Sequence, residues 1–371
     1  MINSLKDQIN RSADPCAMPL ATSIEKNVAI YDCANLSNVN EAALKAELAA
    51  NLLEGPGVFV LKGSFDDTSP VDEATAIFLD IIEQEKTSKG GGEDHFAKAG
   101  ANDRVWNSLE KLCMASPEIF ARYHSNRWIR LASEAWLGPA FQVTAQVNLV
   151  RPGGEAQEAH TDYHLGFMTT DQVDSYPAHI HATSAQLTLQ GAEAHCDMPI
   201  ESGTTKLLPF SQNWPGNYGH FRDPDVRALF DEHHVQLPLG KGDLLFFSPG
   251  LLHGAGDNRT ADIDRMANLL QVSSAFGRSL EAIDRVKMCK TLYPTLLEAK
   301  NSSSMTDSEI AAAIASSAEG YPFPTNLDTD PPVGGLAPPS QQALMNQGIA
   351  EGWTSKKFET ELDGREAKRS S

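Results

Sequence analysis

His160 and Asp162 stand two residues apart in the stretch Gln157-Glu158-Ala159-His160-Thr161-Asp162-Tyr163-His164-Leu165-Gly166-Phe167. In extended chain successive side chains alternate faces, so residues i and i+2 project the same way. An imidazole and a carboxylate then enter one cavity and can share one metal ion. Two donors do not hold a catalytic metal, so a third has to come from elsewhere. The segment Lys241-Gly242-Asp243-Leu244-Leu245-Phe246-Phe247-Ser248-Pro249-Gly250-Leu251-Leu252-His253 supplies a candidate in His253. Two imidazoles and one carboxylate on one side of a metal leave the opposite positions open, a donor set that suits non-haem Fe(II) and O₂. The single negative charge also leaves room for a bidentate anionic co-substrate.

Rival pairs share the spacing. His195-Cys196-Asp197 is a second His-x-Asp, without a following Leu-Gly-Phe block, and His179-Ile180-His181 is a third pair. His164 either faces a substrate or packs, and His233-His234 reads as a strand-edge pair. Arg265, twelve residues after His253, opens the run Met266-Ala267-Asn268-Leu269-Leu270. Its guanidinium could take the far carboxylate of an acidic co-substrate such as 2-oxoglutarate in a bidentate pair. A rim ion pair with Asp262 or Asp264 is the alternative.

The elements that must position these residues change character along the chain. Residues 1–27 have no clear period and read as an arm. Val28–Tyr31 and Val58–Leu61 read as strands, and Ala42–Leu53 and Ser69–Ile82 as helices. The Gly90-Gly91-Gly92 run reads as a hinge or lid, lacking phosphate-loop spacing. Residues 102–137 carry two helical patterns whose aromatics suit core packing. After Gly138-Pro139 the period becomes alternating. Phe141–Val150, Ala185–Leu189, Thr205–Leu208, Val235–Leu239, Leu244–Phe247 and Met266–Phe276 read as strands between Gly, Pro and Asp turns. That pattern predicts a mainly β chain with flanking helices around a jelly-roll (cupin-like, double-stranded β-helix) core. The expected organisation is an arm over 1–27, a catalytic domain over 28–280 (helical 28–139, jelly roll 140–280) and a helical and loop appendage over 281–371.

Composition narrows the function classes. With 371 residues, 41% hydrophobic and 21% charged, the sequence reads as an ordinary globular protein. A net charge of -19 without basic clusters argues against nucleic-acid or anionic-membrane partners. The five cysteines are scattered and form no Cys-x-x-Cys, which fits a reducing, cytoplasmic setting. No signal peptide and no apolar run of membrane-spanning length is visible.

Four blocks in order, His160-x-Asp162, Gly203–Ser211, Gly242–Phe247 leading to His253, and the Arg265 strand, resemble the phytanoyl-CoA dioxygenase family over roughly residues 140–276. The resemblance implies an Fe(II)/2-oxoglutarate oxygenase on a double-stranded β-helix. It implies His160, Asp162 and His253 as iron ligands and Arg265 as the 2-oxoglutarate anchor. Gln146 and Asn148, on one face of the preceding strand, are candidates for holding the co-substrate. Thr204-Thr205 departs from the family's common Gly-Pro-Thr at a turn. Retention of Asp162, which related halogenases replace with a small residue, implies hydroxylation of an unactivated C–H in a small molecule, with succinate and CO₂ released. The competing expectation is a cupin-like metal-binding or isomerase protein without 2-oxoglutarate chemistry.

Overall fold

The computed structural model describes residues 2–87 and 102–370, so the hinge or lid expected at Gly90-Gly91-Gly92 lies outside the described residues. Ten strands occur among them: β1 (Ser23–Glu25), β2 (Val28–Asp32), β3 (Val58–Lys62), β4 (Asn102–Val105), β5 (Gln142–Val150), β6 (Thr188–Ala194), β7 (Lys206–Leu207), β8 (Leu244–Phe247), β9 (His253–Gly254) and β10 (Arg265–Ser273). Eight form one sheet in the order β1-β2-β3-β8-β6-β10-β5-β4. All neighbours are antiparallel except β2 and β3, which are joined by the helix Glu41–Leu53 as a parallel pair requires. The facing layer is short. β7 pairs with β9, and single bridges add His160 to one side and Val235 to the other. Together the two layers form the jelly-roll core.

Strand parity decides what each face of the large sheet does. Val143, Ala145, Val147 and Leu149 of β5, with Met266, Leu270 and Val272 of β10, turn outward into the main hydrophobic core. Gln146 and Asn148 turn inward, opposite Leu269 and Ala267 of β10. These in turn face Ala192 and Ala194 of β6. A one-residue register slip would invert both faces, so the outer apolar set fixes the inner polar one.

Several elements differ from the sequence expectation. Residues 102–137 hold β4 and three helices, Ser108–Ala115, Pro117–Tyr123 and Arg127–Leu137. Ser116 breaks the first two apart by capping the Ile119 amide ahead of Pro117. Ala185-Gln186 closes the helix Ala178–Gln186, and the strand starts only at Thr188. Val235–Leu239 makes isolated bridges in place of a ladder, as Pro238 lacks an amide donor. His233 ends the helix Pro224–His233, so His233-His234 is not a strand edge. The helix Ile2–Ile9 buries Leu5 against Trp214, Phe230 and Leu252.

Beyond residue 280 the chain joins the same core. Met288, Leu292, Leu296, Ile314, Phe358 and Leu362 belong to the cluster that backs β5 and β10. Arg285 donates to the Val143 carbonyl (2.7 Å) and to those of Ser316 and Ser317 (3.3 Å each). No helix among the described residues is long and apolar enough to cross a membrane.

Candidate metal centre

The two histidine segments are bound together by their backbones. His160 N donates to His253 O (2.9 Å) and His253 N to His160 O (3.0 Å). Gln157 N to Ala255 O (3.0 Å) and Asp162 N to Pro249 O (2.9 Å) extend the pairing on both sides. Gly254 makes the approach possible, because a Cβ there would stand 2.9 Å from the Gln157 carbonyl oxygen. The long sequence gap between Asp162 and His253 is thus closed by ordinary antiparallel pairing.

The side chains converge on one point. His160 Nε2 lies 3.8 Å from Asp162 Oδ1, and His253 Nε2 lies 3.7 Å from Asp162 Oδ2. One donor atom from each of the three falls within 4.8 Å of the others, a spacing that can hold a metal ion. Among the described residues no other group of three His, Cys, Asp or Glu does so. Each imidazole is oriented from behind. His160 Nδ1 is 2.8 Å from Glu158 O, and His253 Nδ1 is 2.9 Å from Leu251 O. An N–H donated to those carbonyls leaves each Nε2 lone pair facing Asp162. Burial, with His160 beside it, pushes His253 down to about 4, so its imidazole is neutral near pH 7, the form that can bind a metal. Gln190 on β6 donates its side-chain amide to Asp162 Oδ2. Phe247 packs at a tilt against His253 (ring centroids 4.7 Å apart) and lines the wall beside it.

These donors open into a cavity of about 540 Å³, within the range of small-molecule sites. Arg265, Gln146 and Asn148 all line it. Arg265 is buried, and burial lowers its pKa to about 10. Its Nη1 donates to the Gly203 carbonyl. Gly203 has φ +83° and packs where a Cβ would meet the Gly256 carbonyl at 2.4 Å, so the turn that offers this carbonyl requires glycine. No carboxylate of a described residue pairs with Arg265, and the rim ion pair with Asp262 or Asp264 is not formed. A buried cation without a counter-charge is costly unless a ligand supplies one. Gln146 Oε1 accepts from Arg104 Nη1 at 3.0 Å. Asn148 Oδ1 is buried with no hydrogen-bond partner.

The rival histidines are otherwise engaged. His195 is buried with Nδ1 2.7 Å from Thr75 Oγ1 and Nε2 2.7 Å from Tyr123 OH, so neither nitrogen is available to a metal. His179 and His181 lie on a helix, where i and i+2 diverge. His181 Nδ1 meets Tyr163 OH at 3.1 Å. His164 lines the cavity, its Nδ1 3.0 Å from Thr188 Oγ1. Gln190, Arg104 and Arg278 are among the cavity residues that escaped the sequence reading. Gln190 had a usable signal, a long polar side chain inside a run of seven fully buried strand residues. That signal depends on finding β6 first.

Dioxygenase trt7 of Aspergillus terreus (strain NIH 2624 / FGSC A1156) is 24% identical over 148 residues, 40% of this chain and 42% of that protein. This chain therefore matches less than half the length of that relative. Among solved structures, the α-ketoglutarate-dependent epimerase SnoN from nogalamycin biosynthesis is 21% identical, with TM-score 0.46 over 63% of this chain and 84% of its own. The carbocyclase SnoK from the same biosynthesis is 18% identical, with TM-score 0.47 over 64% and 85%. The sequence profile of the phytanoyl-CoA dioxygenase (PhyH) family matches residues 53–267, more than half the chain and all of the segments that carry the converging donors and Arg265. The chain belongs to the phytanoyl-CoA dioxygenase family.

Proposed function

We propose that this protein is an Fe(II)- and 2-oxoglutarate-dependent dioxygenase that hydroxylates an unactivated C–H bond of a small molecule. His160, Asp162 and His253 would hold the iron, since two neutral imidazoles and one carboxylate are the donor set Fe(II) oxygenases use. Arg265 would take the far carboxylate of 2-oxoglutarate. Asn148, with its unpartnered Oδ1, and Gln146 border the same space, and both amides can donate to the co-substrate. Bound iron with 2-oxoglutarate and O₂ supplies the oxidation: one oxygen atom goes to the substrate C–H, the other to succinate, and CO₂ leaves.

The chain's own residues do the rest. The Glu158 and Leu251 carbonyls hold the imidazoles in one tautomer, Gln190 holds Asp162, and Phe247 shields His253 from water. The observation that carries the proposal is the buried, counter-charge-free Arg265 on the cavity that the three metal donors face. An isomerase-like jelly roll without 2-oxoglutarate has no use for that cation. The five free cysteines support the reducing, cytoplasmic setting expected from the sequence.

Succinate formation from 2-oxoglutarate, measured by mass spectrometry in the wild type and in Asp162→Ala, tests the reading. Wild-type turnover that Asp162→Ala abolishes supports it. Equal succinate from both proteins, or no Fe(II)-dependent turnover in either, overturns it.

A further inference from the structure

The register of β10 divides the cavity into two ends. At about 3.3 Å per residue, Arg265 and Ser273 lie roughly 26 Å apart along the strand. Gln271 stands opposite Gln190, whose amide holds Asp162. Ser273 stands opposite Thr188, which meets His164. Beyond the metal donors, on the side away from Arg265, the wall continues to Arg278 and Leu280 in the loop after β10. Phe167, whose ring lies 5.7 Å from that of His160, lines the same cavity. Leu280 and Phe167 remain 55% and 51% exposed, which gives the mouth an apolar rim.

Charge singles out one residue at that mouth. Among the described residues the cavity is lined by three arginines, Arg104, Arg265 and Arg278, and by two carboxylates, Asp162 and Glu281. Burial raises the pKa of Glu281, and the field of Arg104 favours its carboxylate. On the reading proposed above, on which this inference rests, a divalent metal and Arg265 are balanced by Asp162 and the two carboxylates of 2-oxoglutarate. Arg278 is left over. It is exposed and forms no hydrogen bond or ion pair with a described residue, in a chain with 49 acidic and 30 basic residues. A lone arginine set between apolar rim residues matches a ligand that is apolar with one acidic end.

We propose that the substrate is an apolar small molecule carrying one carboxylate, which Arg278 selects at the cavity mouth while the apolar body reaches in past Phe167 and Leu280. Arg278 is thus a specificity-determining residue.

Naphthylacetate and naphthylethanol share a ring system and differ in charge. Both are titrated into the full chain loaded anaerobically with Fe(II) and 2-oxoglutarate, with tryptophan fluorescence as the signal, since Trp106 lines the cavity. The wild type is expected to bind the acid about three- to tenfold more tightly than the alcohol. Arg278→Ala should abolish that preference, Arg278→Lys should keep part of it, and added salt should shrink it. An acid preference unchanged in Arg278→Ala, or no binding of the acid by the wild type, overturns the inference. In both cases 2-oxoglutarate still raising the melting temperature leaves the oxygenase reading standing. If Arg265→Ala alone removes the preference, the acid occupies the Arg265 end, and both readings fall together.

Discussion

Gln190 on β6 donates its side-chain amide to Oδ2 of Asp162, across 28 residues of sequence, and its own Oε1 is buried without a partner. The strand thereby steers the one carboxylate among the three donors. A carboxylate free to rotate could turn toward either histidine, since Nε2 of each lies within 3.8 Å of one of its oxygens. Replacing Gln190 with Leu keeps the volume and removes the donor. The expected result is a 10- to 100-fold loss of Fe(II) affinity, about the usual cost of removing an outer partner of a metal ligand. Anaerobic Co(II) titration, read from its visible absorption, measures this without turnover. Gln190→Glu should lose as much, because a second carboxylate would face Asp162.

On the proposed function, substitutions at Arg265 should separate co-substrate binding from metal binding. Arg265→Ala should weaken 2-oxoglutarate by about 10- to 100-fold, the range for losing hydrogen bonds to a charged group. Metal affinity should stay within about twofold. Arg265→Lys should recover only part, because an ammonium cannot make the bidentate pair. Isothermal titration of 2-oxoglutarate into the anaerobic Fe(II) protein distinguishes these outcomes. A parallel loss of metal would mean that Arg265 supports the Gly203 turn and does not bind the co-substrate.

The parts legible in sequence are those with a local cause. Leu244–Phe247 and Val58–Leu61 are short apolar runs fenced by glycine and proline, and both are central strands. His160 and Asp162 follow from two-residue parity, and His253 from its place after a strand turn. What was hidden depends on distant partners. Asn102–Val105 is polar for a strand, yet β5 recruits it to the sheet edge. Ala185–Leu189 has no periodicity to tell helix from strand, and Pro177 starts a helix that runs through its first half. The helix Arg285–Ser302 carries Pro294 inside it, a residue that ordinarily breaks a helix. Here packing on the helices Ser108–Ala115, Pro117–Tyr123 and Asp307–Ser317 outweighs that local cost.

Stability should peak near neutral pH for reasons unconnected with the metal. His124 and His195 are fully buried, and burial lowers both to about 3 from 6.5. As pH falls below 6.5 the unfolded chain takes up protons that the folded chain refuses, so their contribution, complete above 6.5, is lost toward pH 3. Glu193, fully buried on β6, is raised to about 8. Above 4.5 the unfolded chain releases a proton that the folded chain keeps. Its contribution is therefore complete below 4.5 and lost as pH rises to about 8. Each group accounts for at most about 1.4 kcal/mol per pH unit. Melting temperatures across pH 4 to 9 check this, with Glu193→Gln expected to gain more over the wild type at pH 8 than at pH 5. An equal gain at both would mean that Glu193 is ionised in the fold.

The residues after 280 should prove inseparable from the sheet that carries the site. Arg285 reaches three backbone carbonyls, one on β5 and two at the end of the helix Asp307–Ser317, so it ties that strand to the C-terminal helices. Burial lowers its pKa, which means the cation is held at a cost that those carbonyls and the field of Glu319 offset. Arg285→Met would keep the stem and leave three buried acceptors unpaired, at about 1–3 kcal/mol each. A fall of several degrees in melting temperature is expected, with m-value unchanged if the fold stays cooperative. A chain ending at residue 280 loses Met288, Leu292, Leu296, Ile314 and Phe358 from the cluster behind β5 and β10. It should bind a hydrophobic dye and be cleaved by protease at β5. Should that shortened chain instead melt cooperatively and bind Co(II) as the full chain does, the C-terminal helices are a separate unit after all, and the metal centre owes them nothing.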